Sequence, residues 1–380
     1  PPSPPASNQP QPPGTPGRPP PPPAAGAQPR PDTSSSGVPA PRQPGALAPG
    51  HIRPAPSHPP ATSAAPVPFP AAHLTYATVV RGNVRYSSVV RRENGVTEYE
   101  QIIYEVDDPV ATITLNRPEV LNAWTDRMGL EVRHAISAAE RDPRVVGIVL
   151  TGAGRGFCAG ADMKRLSALS AGDFAAENLP ADLESDPGDR AAGDDLYLGT
   201  HTYVLSVPKP VIAAINGPVA GMAVPIVLAC DLRFMAEDAV LMTAFSQRGL
   251  VAEWGISWLL PRLVGTAVAL DLLFSSRKVS GAEAVNLGLV NAALPRADVL
   301  AYAQQYVRDL AATSSPTSMA IMKKQVYQQV HAGLLTAERE ARALMAGSFG
   351  RADFAEGVSS FLERRPPKFE RLPRQAAGER

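Results

Sequence analysis

From Thr97 onward, the spacing of apolar and polar residues separates strands from helices. Gln101–Val106 and Ala111–Leu115 alternate with a period of two, and Asp107-Asp108-Pro109 between them is a turn sequence, so a hairpin is predicted. Thr125 is placed to cap a helix running to about Arg141, with Met128, Leu130, Val132 and Ile136 as its apolar positions. Val145–Thr151 is an apolar run of the buried-strand type, and Val211–Ile215 is strand-like again. Ala220–Ala229 reads as a buried helix, followed by short strands at Leu232–Met235 and Val240–Thr243. After Gly255 the periodicity is helical to about residue 363, in segments near 256–264, 266–275, 281–287, 297–313, 317–332, 335–346 and 351–363. Residues 172–195 are polar and rich in Asp and Glu, which predicts an exposed, mobile loop. A strand-rich first half followed by a helical tail is not a doubly wound nucleotide fold, and no GxGxxG or P-loop occurs.

Composition changes the picture for the N-terminal part. Residues 1–70 hold 26 of the 41 prolines, with runs such as Pro19–Pro23, and almost no bulky apolar side chains. Such a segment cannot bury enough surface to offset its ordering entropy, so 1–95 is expected to be disordered with polyproline character. A proline-rich ligand for partner domains is one reading of it. The chain opens without Met, and the Pro/Ala/Gly/Arg bias is what GC-rich DNA yields in any frame, so the natural start is expected near Val96.

The formal net charge is zero, yet residues 1–92 carry eight Arg against the single acid Asp32, a net +7 that the remainder balances with −7. No apolar run reaches the length of a membrane span, and the N-terminus lacks a secretory signal layout. Cys158 and Cys230 are too few for a disulfide framework, which fits a reduced, cytoplasmic protein. Two separated cysteines and scattered histidines lack metal-ligand spacing.

Candidate chemistry begins at Phe157-Cys-Ala-Gly-Ala-Asp162, which follows the apolar run and precedes a helical segment. A strand that ends in small residues and enters a helix aims several unpaired backbone N–H groups at one point. A developing negative charge is stabilised there. Asn216-Gly-Pro-Val-Ala-Gly-Met222 is placed to supply a partner N–H.

Five stretches in order carry a resemblance: Leu115-Asn-Arg-Pro-Glu-Val-Leu-Asn-Ala123, Gly156-Phe-Cys-Ala-Gly-Ala-Asp162, Lys209-Pro-Val-Ile-Ala-Ala-Ile-Asn-Gly217, Ala229-Cys-Asp231, and Asp353-Phe-Ala-Glu-Gly-Val-Ser-Ser-Phe-Leu-Glu-Arg364. Across 97–370 the chain resembles the crotonase (enoyl-CoA hydratase/isomerase) superfamily. The resemblance implies an α/β spiral core of ββα turns over 96–295, a helical trimerisation region over 296–370 and a flexible tail at 371–380. It also implies a homotrimer or dimer of trimers acting on an acyl-CoA thioester, with the coenzyme A belonging to the substrate and no separate cofactor.

Carried over by position, the oxyanion hole is the N–H of Ala161 and the N–H of Met222, holding a thioester enolate. The family usually has a Gly-Gly-Gly run where this chain has Gly221-Met-Ala223. Gly160 and Gly221 are the turn glycines of the two donors, and tight turns alone would also explain them. Coenzyme A contacts are implied at the backbone of Val120, Leu121 and Ala123 and at Ala159. Asp162 is expected to cap its helix alongside any ligand role. Arg364 matches a basic position that contacts coenzyme A phosphates from a neighbouring subunit, or is a solvated helix charge. Some relatives bind RNA through lysine-rich helices, but the −7 balance and sparse lysines argue against a nucleic-acid partner here.

The acids set the reaction. Family hydratases use two glutamates, and their positions fall on Pro225 and Phe245, neither of which transfers a proton. Glu253 stands where relatives resembling enoyl- and dienoyl-CoA isomerases carry one acid, with Trp254 and Trp258 beside it to raise its pKa. The alternative for Glu253 is a surface acid favoured by a helix N-terminus. Glu184 in the acidic loop is a second possible acid on closure, and His201 and Tyr203 are lining candidates given no role. The expected reaction is double-bond isomerisation by one acid. Hydration using Glu253 or an unplaced acid is the alternative, and a non-catalytic acyl-CoA binder a second one.

Overall fold

A computed structural model describes residues 99–173 and 199–373. The expected disordered segment 1–95, Glu184 and most of the acidic loop lie outside the described residues. Alternation produces the predicted hairpin: β1 (Ile102–Asp107) pairs antiparallel with β2 (Val110–Leu115), Ile102 opposite Leu115 and Asp107 opposite Val110. The apolar runs then add parallel strands: β3 (Gly147–Gly152), β4 (Val211–Ile215) and β6 (Leu232–Ala236), with every residue of β3 and β4 buried. The sheet order is β1-β2-β3-β4-β6, closed beyond β6 by β9 (Ala292–Leu294).

Helix α1 (Asp126–Arg141) crosses from β2 to β3 and buries Met128, Val132, Ala135, Ile136 and Ala139. Its first turn is capped as expected, with the Thr125 hydroxyl accepting from the Met128 N–H at 3.0 Å. At its last turn the buried Lys209 ammonium donates to the carbonyls of Ala139 at 2.9 Å and Asp142 at 2.7 Å. Both carbonyls lie at the C-terminal end of the helix, and the Asp142 carbonyl also accepts from Val145 N–H at 3.1 Å, so a charge in the core is satisfied by the dipole end it faces.

The smaller sheet, β5 (Val219–Ala220), β7 (Val240–Met242) and β8 (Val279–Ser280), departs from the sequence reading. The helix expected from Ala220 starts instead at Ala223, as α3 (Ala223–Ala229), because Val219 and Ala220 pair with Leu241 and Met242. The tract after Gly255 is also not wholly helical. It contains β8 and β9 (Ala292–Leu294), and β9 pairs with β6 as the sixth strand of the main sheet. Strands of two and three residues are too short to impose a visible period.

The helices α4 (Ile256–Val264), α5 (Thr266–Ser275) and α6 (Gly281–Asn286) match the predicted segments within a residue. Helix α7 (Val299–Thr313) lies on the main sheet, where a Cβ at Gly147 would come within 2.9 Å of the Val307 methyls. Helix α8 (Pro316–Gln329) is tied to the sheet through Asp231, whose carboxylate accepts from Val211 N–H at 2.8 Å, Lys323 Nζ at 2.7 Å and Tyr327 Oη at 2.9 Å. With α9 (Leu334–Ser348) and α10 (Ala352–Glu363), α8 leaves Met322, Val326, Leu334, Phe349, Phe361 and Leu362 exposed.

Candidate active site

Two turns meet beside the small sheet. After β3 the chain folds back so that Cys158 bridges Val219, with Cys158 N–H donating to Pro218 O at 3.1 Å and Ala220 N–H to Cys158 O at 3.0 Å. Trp124 bridges Ala161 from the other side, donating to Gly160 O at 2.7 Å and accepting from Asp162 N–H at 2.9 Å. Strand alternation then turns the Ala161 N–H away from Trp124. Gly160 has φ +97° and Gly221 has φ +50°. A Cβ on Gly160 would stand 2.9 Å from Ala220 O and 3.7 Å from Gly221 Cα. The two turns therefore lie so close that no side chain fits between the glycines, and Ala161 and Met222 each follow one of them. Among the described residues no backbone acceptor takes the N–H of either Ala161 or Met222. Two free donors on closely set turns are what a developing oxyanion needs.

The remaining predicted positions surround this point unevenly. Val120 and Ala159 are exposed, Leu121 is half-buried and Ala123 is buried. Their N–H groups are already used within the chain: Val120 to Arg117 O, Leu121 to Pro118 O, Ala123 to Val120 O and Ala159 to Leu121 O. Asp162 caps α2 (Met163–Ser170), accepting from Lys164 N–H at 2.9 Å, and its other oxygen pairs with Arg117 at 2.9 Å. Burial works to raise its pKa, but the Lys164 N–H and Arg117 bonds outweigh that and hold it below the ordinary value. Both oxygens are engaged in structure. Arg364 is exposed at the left-handed C-terminal residue of α10, φ 54°, far along the chain from the two turns.

Sequence reasoning passed over Asn122. Its side chain is fully buried, donating to Ala153 O at 3.0 Å and Gly156 O at 2.9 Å and accepting from Arg117 N–H at 2.8 Å. It locks the 117–123 stretch to the turn that leads into Phe157. Asn216 does the same from β4, donating to Gly152 O at 2.7 Å and accepting from Gly152 N–H at 3.2 Å. An asparagine beside a positive φ is the signal that was available. Cys158 is no nucleophile, because burial pushes its thiol up to about 12.

The three positions considered for acids lie on separate elements. Pro225 is buried inside α3 and Phe245 is 4% exposed, so neither contributes a carboxylate. Glu253 is half-buried just before α4, its carbonyl accepting from Ile256 N–H at 3.0 Å. Burial pushes its pKa up, and a side-chain hydrogen bond from Trp254 pulls part of the way back. Trp254 has φ 55° and Gly255 φ 85°, two consecutive left-handed residues. A Cβ on Gly255 would meet Thr202 Cγ2 at 2.8 Å, so the bend is packed against the 199–206 stretch.

That stretch carries His201, whose ring centroid lies 5.4 Å from Trp124 and 5.0 Å from Trp254. The stack thus runs from the residue that pairs with Ala161 to the residue after Glu253. Burial and Arg133 push His201 down to about 4, with the nearby Met222 carbonyl opposing. Arg133 lies over the Tyr203 ring at 4.6 Å. A cavity of about 410 Å³ opens here, lined by His201, Leu205, Trp254, Trp258 and His331 among others.

A family model described as enoyl-CoA hydratase/isomerase matches residues 105–372, and the chain belongs to that family. A probable enoyl-CoA hydratase of Rhodobacter capsulatus is 38% identical over 71% of this chain and 98% of its own. A 1,2-epoxyphenylacetyl-CoA isomerase of Escherichia coli is 34% identical over the same shares. The crystal structure of a probable enoyl-CoA hydratase/isomerase from Mycobacterium abscessus superposes with a TM-score of 0.61 at 31% identity, over 71% of this chain and 99% of that one. The architecture is accordingly the crotonase-like α/β fold with C-terminal helices, as the five stretches implied.

Proposed function

We propose that this enzyme shifts a double bond in an enoyl-CoA thioester, using the Ala161 and Met222 N–H groups to hold the enolate and Glu253 as its one acid–base group. The reading is supported by two unused backbone donors on neighbouring turns together with Glu253, the half-buried carboxylate whose pKa is raised among the described residues. Glu253 takes a proton from C2 of a 3-enoyl thioester, the electrons move to the carbonyl oxygen, and the proton returns at C4 as the double bond settles between C2 and C3. The reverse is equally balanced. No redox change is involved, so the step needs no cofactor beyond the coenzyme A of the substrate.

The exposed Val120 and Ala159 lie at the rim in this reading, where coenzyme A leaves the site. The exposed apolar faces of α8–α10 support assembly as a homotrimer or dimer of trimers, which would also bring Arg364 to a neighbour's coenzyme A phosphates. Hydration is the second reading, and the hydratase names of several relatives favour it.

Incubation with 3-enoyl- and 2-enoyl-CoA thioesters separates the two. A rise in conjugated-enoyl absorbance from the 3-enoyl substrate is expected, whereas loss of absorbance from the 2-enoyl substrate with a mass gain of one water would establish hydration. Replacing Glu253 with Gln should abolish C2 proton exchange with deuterated water. Full exchange in that variant would end the assignment.

A further inference from the structure

The cavity beside Trp254 has one feature that the proton shift does not use. His201 is 1% exposed, and neither ring nitrogen has a hydrogen-bond partner. Two indoles lie against the ring, Trp124 at 5.4 Å and Trp254 at 5.0 Å between centroids. Arg133 is the charged group acting on it and opposes protonation, while the Met222 carbonyl lies near but outside hydrogen-bonding geometry. The ring is therefore neutral, with one nitrogen a donor and the other an acceptor. A buried polar group without a partner is destabilising, and an apolar tail seated against it leaves it so. Around it, Trp254, Trp258 and His331 form flat walls. The volume of about 410 Å³ far exceeds the ~150 Å³ that suffices for a benzene ring.

We propose that His201 makes this cavity select acyl-CoA thioesters whose acyl group carries a ring bearing a hydrogen-bonding oxygen, in preference to plain aliphatic chains. The inference rests on the acyl-CoA reading above and deepens it by naming the acyl group. A hydroxyl both donates and accepts, so it can pair with a ring nitrogen in either tautomer. Discrimination against the analogue without the oxygen is strong, because the imidazole is then left buried and unpaired rather than returned to water.

Calorimetric titration of the full chain with phenylacetyl-CoA, its 2-, 3- and 4-hydroxy derivatives and hexanoyl-CoA tests this, since none of them carries the double bond that is shifted. At least one hydroxy derivative is expected to bind about tenfold or more tightly than phenylacetyl-CoA, and phenylacetyl-CoA more tightly than hexanoyl-CoA. His201→Phe should bind phenylacetyl-CoA within about threefold of the parent and lose the preference for the hydroxyl, while His201→Gln, which keeps a donor and an acceptor, retains part of it. Equal binding of all ring compounds by the parent chain overturns the proposal, and this arm stands even if a variant fails to fold. So does a hydroxyl preference that survives in folded His201→Phe. Tight binding of hexanoyl-CoA alone removes the His201 assignment and leaves the acyl-CoA reading intact, whereas no binding of any thioester overturns both.

Discussion

Asn122→Ala is the most direct way to ask whether the turn before Phe157 is held by one side chain. The native amide makes three hydrogen bonds, to Ala153 O, Gly156 O and Arg117 N–H, at 2.8–3.0 Å and in a fully buried position. Removing it leaves those backbone groups unpaired at about 1 kcal/mol each, or about 3 kcal/mol. The residue also sits at φ 55°, which asparagine tolerates and alanine does not, adding about 1 kcal/mol. A total of about 4 kcal/mol corresponds to roughly 10 °C in melting temperature for a domain of this size. Asn122→Gly serves as the partner variant, since it loses the same three bonds without the backbone strain and should recover about 1 kcal/mol. Differential scanning calorimetry with chemical denaturation reads both. A loss below about 1 kcal/mol in Asn122→Ala would refute the reasoning, because it would mean the turn finds other partners. Where the variant is still folded, catalysis should fall more than binding, since the slackened turn carries Ala159 and Ala161 into the site.

Titration gives two further expectations. In the proposed reading Glu253 acts as a base in its ionised form, so with its pKa raised by burial the rate should fall, as pH drops, at a pH above the ordinary glutamate range. Trp254→Phe removes the hydrogen bond that holds that pKa down, so the acid limb of kcat/KM should move to still higher pH, and a limb that stays in place or moves down would contradict it. Lys209 is depressed to about 8 by burial against about 10.5 unfolded, so between those values the unfolded chain binds more protons and this group makes stability rise with pH. Denaturation of the parent and of Lys209→Met at pH 7.5 and 9.5 should show that rise only in the parent, by about 1 kcal/mol per pH unit at most; equal slopes would refute it.

The sequence disclosed what repeats over enough residues to form a pattern. The hairpin, α1 and the strands at 147–152 and 211–215 show in periodicity, because each buries a face of five residues or more. The small sheet did not show, since Val219–Ala220 and Val279–Ser280 are strands only through pairing with Val240–Met242, and pairing across distance leaves no local trace. In the site, Gly160 and Gly221 were legible because a positive φ restricts the residue that occupies it. Asn122 and Asn216 lie within the resembling stretches, but apart from Arg117 the groups they hold lie 31 to 64 residues away. His201 was unreadable for the same reason. A buried histidine becomes informative only once Trp124 and Trp254 are known to lie against its ring.

The division of labour in the site bears on which reaction it runs. The hole is fixed by backbone contacts that involve no titrating group: two closely set glycine turns, two asparagine clamps and bridges to Trp124 and Val219. In the proposed reading it would stabilise negative charge on a thioester oxygen whatever happens at C2, C3 or C4. Glu253 comes from a separate bend, held in a strained left-handed geometry by packing against His201 and Thr202. Adding water across a double bond requires one group to activate the water and a proton source at C2. In this chain Pro225 lies within a buried helix and Phe245 is sealed in the core, so a carboxylate at either place would have to be buried at heavy cost unless its surroundings repacked. In the proposed reading, the one acid assigned among the described residues returns at C4 the proton it takes from C2, so a moved double bond is the product that reading expects.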